Sequence, residues 1–146
     1  DHLQVSPAIN VGIAIALEGQ GLIVPAIGNC EKKSLVDIAL ASKDLVKRAK
    51  SGVLKPEEAT GGTFSVSNLG MYDVDSFIAI ILPPQSAILG VGAIRKKPVV
   101  RNDQIVISQV MKASLSVDHR VTDGVQAAQF LGEVKRFLEN PVGLLA

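Results

Sequence analysis

The chain has no tryptophan and only 3% aromatic residues, which leaves almost nothing from which to build a base-stacking platform. It has one cysteine, Cys30, so no internal disulfide can form. That usage is compatible with a reducing compartment. Two histidines and one cysteine fall short of a structural zinc set, and no metal is expected. Neither sign of charge is in excess: 15 Lys+Arg stand against 14 Asp+Glu, a net charge of +1. No nucleic-acid partner is expected from that balance, and no charge block reads as an interaction tail. Long hydrophobic runs are missing too. The longest, residues 13–17 and 77–82, are far short of the ~18 residues of a membrane span, so no membrane partner is expected. The opening Asp-His-Leu-Gln lacks the basic-then-apolar pattern of a signal peptide.

What is present suits one globular unit. The 146 residues are 47% hydrophobic, enough for a core, and no repeat or Pro/Gly/Ser linker divides them. Residues 1–146 are therefore read as a single domain. Residues 9–17 are rich in β-branched side chains and read as a strand. A turn over 18–21 and a strand over 22–27 complete a hairpin. Residues 34–51 read as a helix: Leu35, Ile38, Ser42, Leu45 and Ala49 share a face, with Lys43, Lys47 and Lys50 outward. Ser34 caps it with Asp37 three residues on, and Gly52 ends it.

Residues 55–62 read as a loop and 63–68 as a short strand. Leu69-Gly70-Met71 begins an irregular crossing, and Pro83-Pro84 interrupts the next apolar stretch. Residues 86–94 read as a strand dense in small side chains, which either another backbone or a ligand approaches closely. Residues 98–101, a turn at Asn102-Asp103 and a long strand from Gln104 form a second hairpin. Along that strand Ile105, Ile107, Met111, Ala113, Leu115 and Val117 share one face. Ser108, Lys112, Ser114, Ser116 and Asp118 share the other. The strand is unusually long, so it bends or its end joins a neighbouring subunit's sheet. A helix over 124–139 follows, with an apolar stripe of Ala127, Phe130, Leu131, Val134, Phe137 and Leu138. The order points to an α/β fold: a mixed sheet with helices packed on one side.

Chemistry concentrates in Asp118-His119-Arg120-Val121-Thr122-Asp123-Gly124, where the long strand meets the last helix. If the alternation continues, His119 follows the apolar face of Val117. A partly desolvated imidazole stays neutral and suits a general base. Asp123 could orient it, although an Asp before Gly at a helix start is ordinarily an N-cap. Ser67 lies in a turn after a strand, where its hydroxyl could serve a developing oxyanion or simply the turn. No G-x-S-x-G elbow is present, and neither Gly90-Val91-Gly92 nor Gly19-Gln20-Gly21 completes a dinucleotide loop. Cys30 has no histidine plausibly beside it and reads as structural.

The DHRVTDG stretch resembles the D-H-R-x-x-D-G signature of dihydrolipoyl acyltransferases, the core components of 2-oxo acid dehydrogenase complexes. Three further blocks agree in order. Residues 61–71 (GGTFSVSNLGM), 82–90 (LPPQSAILG) and 21–25 (GLIVP) are similar to that family's segments. The resemblance implies transfer of an acyl group between dihydrolipoyl-lysine and coenzyme A. His119 would be the general base, Ser67 the donor to the oxyanion, and Asp123 a support for the site geometry. Ser67, Asn68, Gly92 and Ile94 would line the coenzyme A path. The lipoyl-lysine arm would come from a separate lipoyl domain.

The resemblance also implies a chloramphenicol acetyltransferase-like fold and homotrimers with sites between subunits, the histidine from one and the serine from its neighbour. Trimers would assemble into a cubic or icosahedral core that serves the decarboxylase and dihydrolipoyl dehydrogenase components. The expected place is the bacterial cytoplasm, or the mitochondrial matrix in a eukaryote. The family's catalytic domains begin well upstream, so residues 1–146 look like the C-terminal portion of such a domain, with its N-terminal part missing. An exposed apolar surface is expected in consequence. The SNLGMY and LPPQSAILGVG segments look closer to acetyl-transferring cores than to branched-chain ones. Two other functions compete: a free-standing coenzyme A-dependent O-acetyltransferase, and a non-catalytic structural core or assembly fragment.

Overall fold

The computed structural model describes residues 3–17, 19 and 21–144. Its centre is a five-stranded mixed sheet whose strands, from one edge to the other, are β4 (Ala26–Ile27), β1 (Val11–Ile13), β5 (Phe64–Asn68), β6 (Ala87–Val91) and β9 (Ala113–Val117). β1 and β5 are parallel, as are β5 and β6; β4 and β9 pair antiparallel on the outside. Two antiparallel ribbons stand off this sheet: β2 (Ile15–Leu17) with β3 (Gly21–Ile23), and β7 (Arg95–Arg101) with β8 (Gln104–Val110).

The first hairpin forms, but each arm is split between the sheet and a ribbon. The 9–17 strand divides at Ala14, whose N–H crosses to the Val66 carbonyl at 3.0 Å. The returning 22–27 strand divides at Val24-Pro25, because Pro25 has no N–H to give the ladder. Its carbonyl still accepts from Ile13 N–H at 2.9 Å. Of the expected turn, Glu18 and Gln20 lie outside the described residues. The second hairpin turns as expected at Asn102 and Asp103, both at positive φ (50° and 59°), the mirror-image turn that matches strand twist. The long strand bends at Met111-Lys112, leaving the ribbon and entering the sheet.

The helix α1 (Leu35–Lys50) carries the expected capping box. Asp37 N–H donates to Ser34 Oγ and Ser34 N–H to the Asp37 carboxylate. Leu45 and Ala49 are buried on its inner face, while Leu35 remains exposed. The expected loop at 55–62 instead contains a short helix, α2 (Pro56–Thr60), started by a proline whose missing N–H costs nothing there. Arg48 of α1 clamps it with two bonds to Glu58, 2.6 and 2.7 Å. That guanidinium, helped by Lys55 N–H, holds the Glu58 carboxyl down at about 2. The last helix, α3 (Gly124–Glu139), has the expected bounds. Its stripe is only half-buried, and Phe130 and Leu138 are exposed.

Both long helices lie on one side of the sheet. Register places Val11, Ile13, Phe64 and Val66 on a common face. Phe130 of α3 meets Phe64 there, ring centroids 5.6 Å apart. Ile38, Ser42 and Val46 of α1 share a cleft with Val11, Ile13 and Val66. The opposite face is covered by an extended strap, residues 75–85. Lys112 Nζ donates to Asp75 (2.6 Å), Ser114 Oγ to the Phe77 carbonyl (2.5 Å) and Ser116 Oγ to the Ala79 carbonyl (2.6 Å). Ser65, fully buried, donates to Gln85 Oε1 at 2.6 Å.

Apolar surface is exposed, as expected. Ile78 and Ile80 of the strap are 85% and 90% exposed. Ile105 and Ile107 were expected to share one face of the long strand with Met111, Ala113, Leu115 and Val117. The two isoleucines stand 79% and 78% exposed, because among the described residues no element covers that side of the β7–β8 ribbon.

Candidate active site

Ser67 sits near the end of β5, half-buried, opposite Gly90 of β6. Among the described residues nothing bonds its hydroxyl. Asn68 follows, exposed, with its Oδ1 accepting Gly70 N–H at 2.8 Å. That bond turns the chain out of the sheet into the single 3₁₀ turn Gly70–Tyr72. The irregular crossing expected at 69–71 is thus an Asn-started turn. Ser67 and Asn68 are among the residues lining an open, mainly apolar cleft of about 550 Å³ between α1 and the sheet.

His119 does not continue the strand. β9 ends at Val117, and the chain turns at once. The Asp118 carbonyl accepts from Val121 N–H at 2.9 Å and Thr122 N–H at 3.1 Å. The alternation that would have buried the imidazole therefore stops before it, and His119 is exposed rather than desolvated. Asp123 caps α3, its Oδ1 accepting Gln126 N–H at 2.8 Å. It makes no hydrogen bond to His119 here. The ordinary N-cap role is the one this chain displays.

One chain does not bring Ser67 and His119 together. Ser67 and Ser114 flank Gly90 on either side, two strand spacings or about 10 Å apart. Val117 lies three residues further along β9, another ~10 Å, opposite Ala87. His119 is beyond that, too far for its ring and the Ser67 hydroxyl to reach one reacting atom.

Gly92 and Ile94 lie outside the strand expected over 86–94, which ends at Val91. Gly92 is buried, and what comes close to it is backbone. A Cβ there would collide with the Asp75 carbonyl, while Ala93 N–H bonds the Val74 carbonyl at 2.8 Å. The small residue is thus needed for the strap's approach. Ile94 is exposed at 66%. Cys30 donates its Sγ–H to the Ile27 carbonyl at 3.2 Å and is half-buried at the cleft wall, in keeping with a structural residue. Among the described residues, no group of three or more His, Cys, Asp or Glu is placed to hold a metal.

Two residues of consequence carried no role in the sequence reading. Asp118 accepts from Arg120 N–H (3.0 Å), Nε (3.0 Å) and Nη2 (2.7 Å), and this guanidinium holds its carboxyl at about 2. The Asp-x-Arg spacing across a turn was the available signal. Asp75 bridges Lys97 (2.7 Å) and Lys112 (2.6 Å), which hold it at about 2, and so ties the strap to the second ribbon. No local pattern announces a pairing across 22 and 37 residues.

The profile of the 2-oxoacid dehydrogenases acyltransferase (catalytic domain) family matches residues 1–146. The dihydrolipoyllysine-residue acetyltransferase component of the pyruvate dehydrogenase complex of Rickettsia bellii is 47% identical over 145 residues, 99% of this chain and 34% of that protein. A dihydrolipoamide acetyltransferase of Azotobacter vinelandii superposes with a TM-score of 0.89 at 32% identity, over 97% of this chain and 58% of that one. That structure belongs to a study of the role of a serine, a histidine and an asparagine in its catalytic mechanism. The cubic core of the pyruvate dehydrogenase multienzyme complex superposes equally well, TM-score 0.89 at 31% identity, again over 97% of this chain and 58% of that one. The chain spans about a third of the length of the curated relatives it matches and somewhat over half of these solved chains.

Proposed function

This chain belongs to the acyltransferase catalytic-domain family of the 2-oxoacid dehydrogenases, and from that membership we propose that it carries the acetyl-transfer site between coenzyme A and dihydrolipoyl-lysine. The observation that carries the reading is a spacing. Ser67 precedes His119 by 52 residues and Asp123 follows it by four, the same intervals that separate the serine, histidine and asparagine studied in the Azotobacter enzyme. An aspartate stands here in place of that asparagine.

The chemistry is thioester exchange. A thiol with a free pKa near 8.5 is mostly protonated at neutral pH, so it needs a base. His119 accepts that proton, and the thiolate attacks the acetyl thioester carbonyl. The Ser67 hydroxyl donates to the oxyanion of the tetrahedral adduct. Collapse expels the second thiolate, which takes the proton back from His119. Asp123 supports this by fixing the start of α3, four residues from the base. The apolar cleft beside Ser67 suits the uncharged stretch of a thioester-bearing arm. Both substrates carry their reacting sulfur on such an arm. Asn68 and Ile94, both exposed, are assigned to the coenzyme A path, while Gly92 is packed against the strap backbone instead; the lipoyl arm is assigned to a separate domain.

The separation of Ser67 from His119 within one chain supports a site completed by a second copy. In a closed trimer each interface would pair one chain's His119 with its neighbour's Ser67. The apolar faces at 78–80 and 105–107 offer surface for such packing and for a larger cubic or icosahedral core. The decarboxylase and dihydrolipoyl dehydrogenase are the expected companions, in a bacterial cytoplasm or a mitochondrial matrix.

The test is acetyl transfer from acetyl-coenzyme A to dihydrolipoamide. His119→Ala should abolish it, and Ser67→Ala should lower it about 10²–10³-fold. Equal mixtures of the two variants, unfolded and reassembled together, should recover about a quarter of wild-type activity, because about one interface in four then holds both intact residues. Equal transfer by wild type and His119→Ala would remove the base from its role. Failure of the mixture to recover would remove the site shared between two copies. Transfer to a small alcohol but not to dihydrolipoamide would favour the O-acetyltransferase.

A further inference from the structure

His119 carries no hydrogen bond of its own among the described residues. Its position depends on the six-residue link, residues 118–123, that joins β9 to α3. One end of that link is fixed by Asp123, which caps α3, and by Thr122, whose Oγ1 donates to Gln126 Oε1 at 2.7 Å. The other end is fixed by Asp118 alone, and every polar group of Asp118 is engaged. Its N–H donates to the Ser86 carbonyl at 2.8 Å, just before the start of β6. Its carbonyl closes the turn by accepting Val121 and Thr122 N–H. Its carboxylate accepts Arg120 N–H across His119 and is gripped two-handed by the Arg120 guanidinium. Arg120 is 89% exposed, Asp118 only 23%. The guanidinium therefore lies over the carboxylate from the solvent side, and the two residues direct their charges at each other.

Resting on the acetyltransferase reading above, we infer that Asp118, locked by Arg120, is the positioning residue for His119: it holds the turn in the one shape that aims the imidazole. It touches no reacting atom. An imidazole on an unpinned turn would sample orientations in which it cannot meet the thiol, and a misplacement of about 1 Å costs on the order of 10²-fold in rate. The function asked of the carboxylate is acceptance of the Arg120 N–H, which an amide oxygen can also perform. Arg120 adds rigidity through its paired bonds, which a single-point cation would not reproduce.

Three variants of the assembled protein test this: Asp118→Ala, Asp118→Asn and Arg120→Gln. Asp118→Ala should lower kcat about 10²-fold with KM for both substrates and the assembled size unchanged. Asp118→Asn should restore most of kcat, and Arg120→Gln should fall between. Amide hydrogen exchange gives a readout independent of activity. Exchange at 120, 121 and 122 should accelerate in Asp118→Ala and Arg120→Gln, but not across α1. Full kcat in Asp118→Ala overturns the inference, as does a loss confined to KM or an Asp118→Asn no better than the alanine variant. Where the alanine variant fails to fold, the asparagine and Arg120→Gln results decide alone. Should wild type transfer no acetyl group, the acetyltransferase reading fails by itself, and unchanged exchange at 120–122 would separately sink the pinning.

Discussion

The central sheet and the β7–β8 ribbon are built from the same alternating pattern and use it in opposite ways. On the sheet's strap-covered face, serines go inward: Ser65 is fully buried, and Ser114 and Ser116 are half-buried beneath residues 77–79. On the ribbon, isoleucines go outward, Ile105 and Ile107 each more than three-quarters exposed. A period of two sorts side chains between faces, but it does not say which face is inside. That is decided by what packs on it. The strap brings carbonyls and an amide to the sheet, so hydroxyls satisfy it better than methyl groups would. Among the described residues nothing covers the ribbon, so its apolar side faces water.

The junction of the two regions should be the most sensitive point. Gly92→Ala sets a methyl group against the backbone of Asp75, where neither side can yield cheaply. It should cost about 3 kcal/mol, the upper end of ordinary overpacking, in urea unfolding. Ser65→Ala comes next. It strips the donor from buried Gln85 and should cost about 1–3 kcal/mol, although it makes the interior more apolar. Ile107→Thr should cost the isolated chain no more than about 0.5 kcal/mol, although it removes a large apolar side chain. A loss as large as a core truncation would mean the ribbon is already covered in solution.

The smallest effect is the one that links the regions. Asp75 is held at about 2, below its ordinary 3.8, by Lys112 and Lys97. A depressed carboxyl stabilises the fold above its ordinary value and loses that contribution as pH falls through its folded value. Between about pH 4 and 2 the ribbon should therefore loosen from the strap. Amide exchange in β7 and β8 should rise there ahead of exchange in β5 and β6, and Asp75→Asn should show the same looseness at neutral pH.

Much of this was legible in the sequence wherever a local rule met no competitor. α3 begins at its Asp123 cap and ends before Asn140-Pro141, and the second hairpin turns on Asn102-Asp103. The strand breaks at Ala14 and Met111 were not legible, because a strand can pass from one sheet to another without interrupting its hydrophobic pattern. α2 was missed because five residues are too few to show a helical period. His119 was misplaced for a related reason: the alternation was carried two residues past Val117, into a turn stabilised by Asp118. The distance between Ser67 and His119 left no trace in local pattern at all, and the expectation of a site shared between copies rests on the resemblance alone.

The strap's three attachments to residues 112–116 join 75, 77 and 79 to 112, 114 and 116, a constant offset of 37. They are chemically unlike, one an ion pair and two hydroxyl–carbonyl bonds, so the seating is keyed. A shift of one residue would turn Ile78 and Ile80 under the serines and put Phe77 into water. A shift of two would match the hydroxyls but leave Asp75 or Lys112 facing nothing. Loops elsewhere in this chain can gain or lose a residue at their tips, but a single insertion between 75 and 79 would scramble every attachment beyond it.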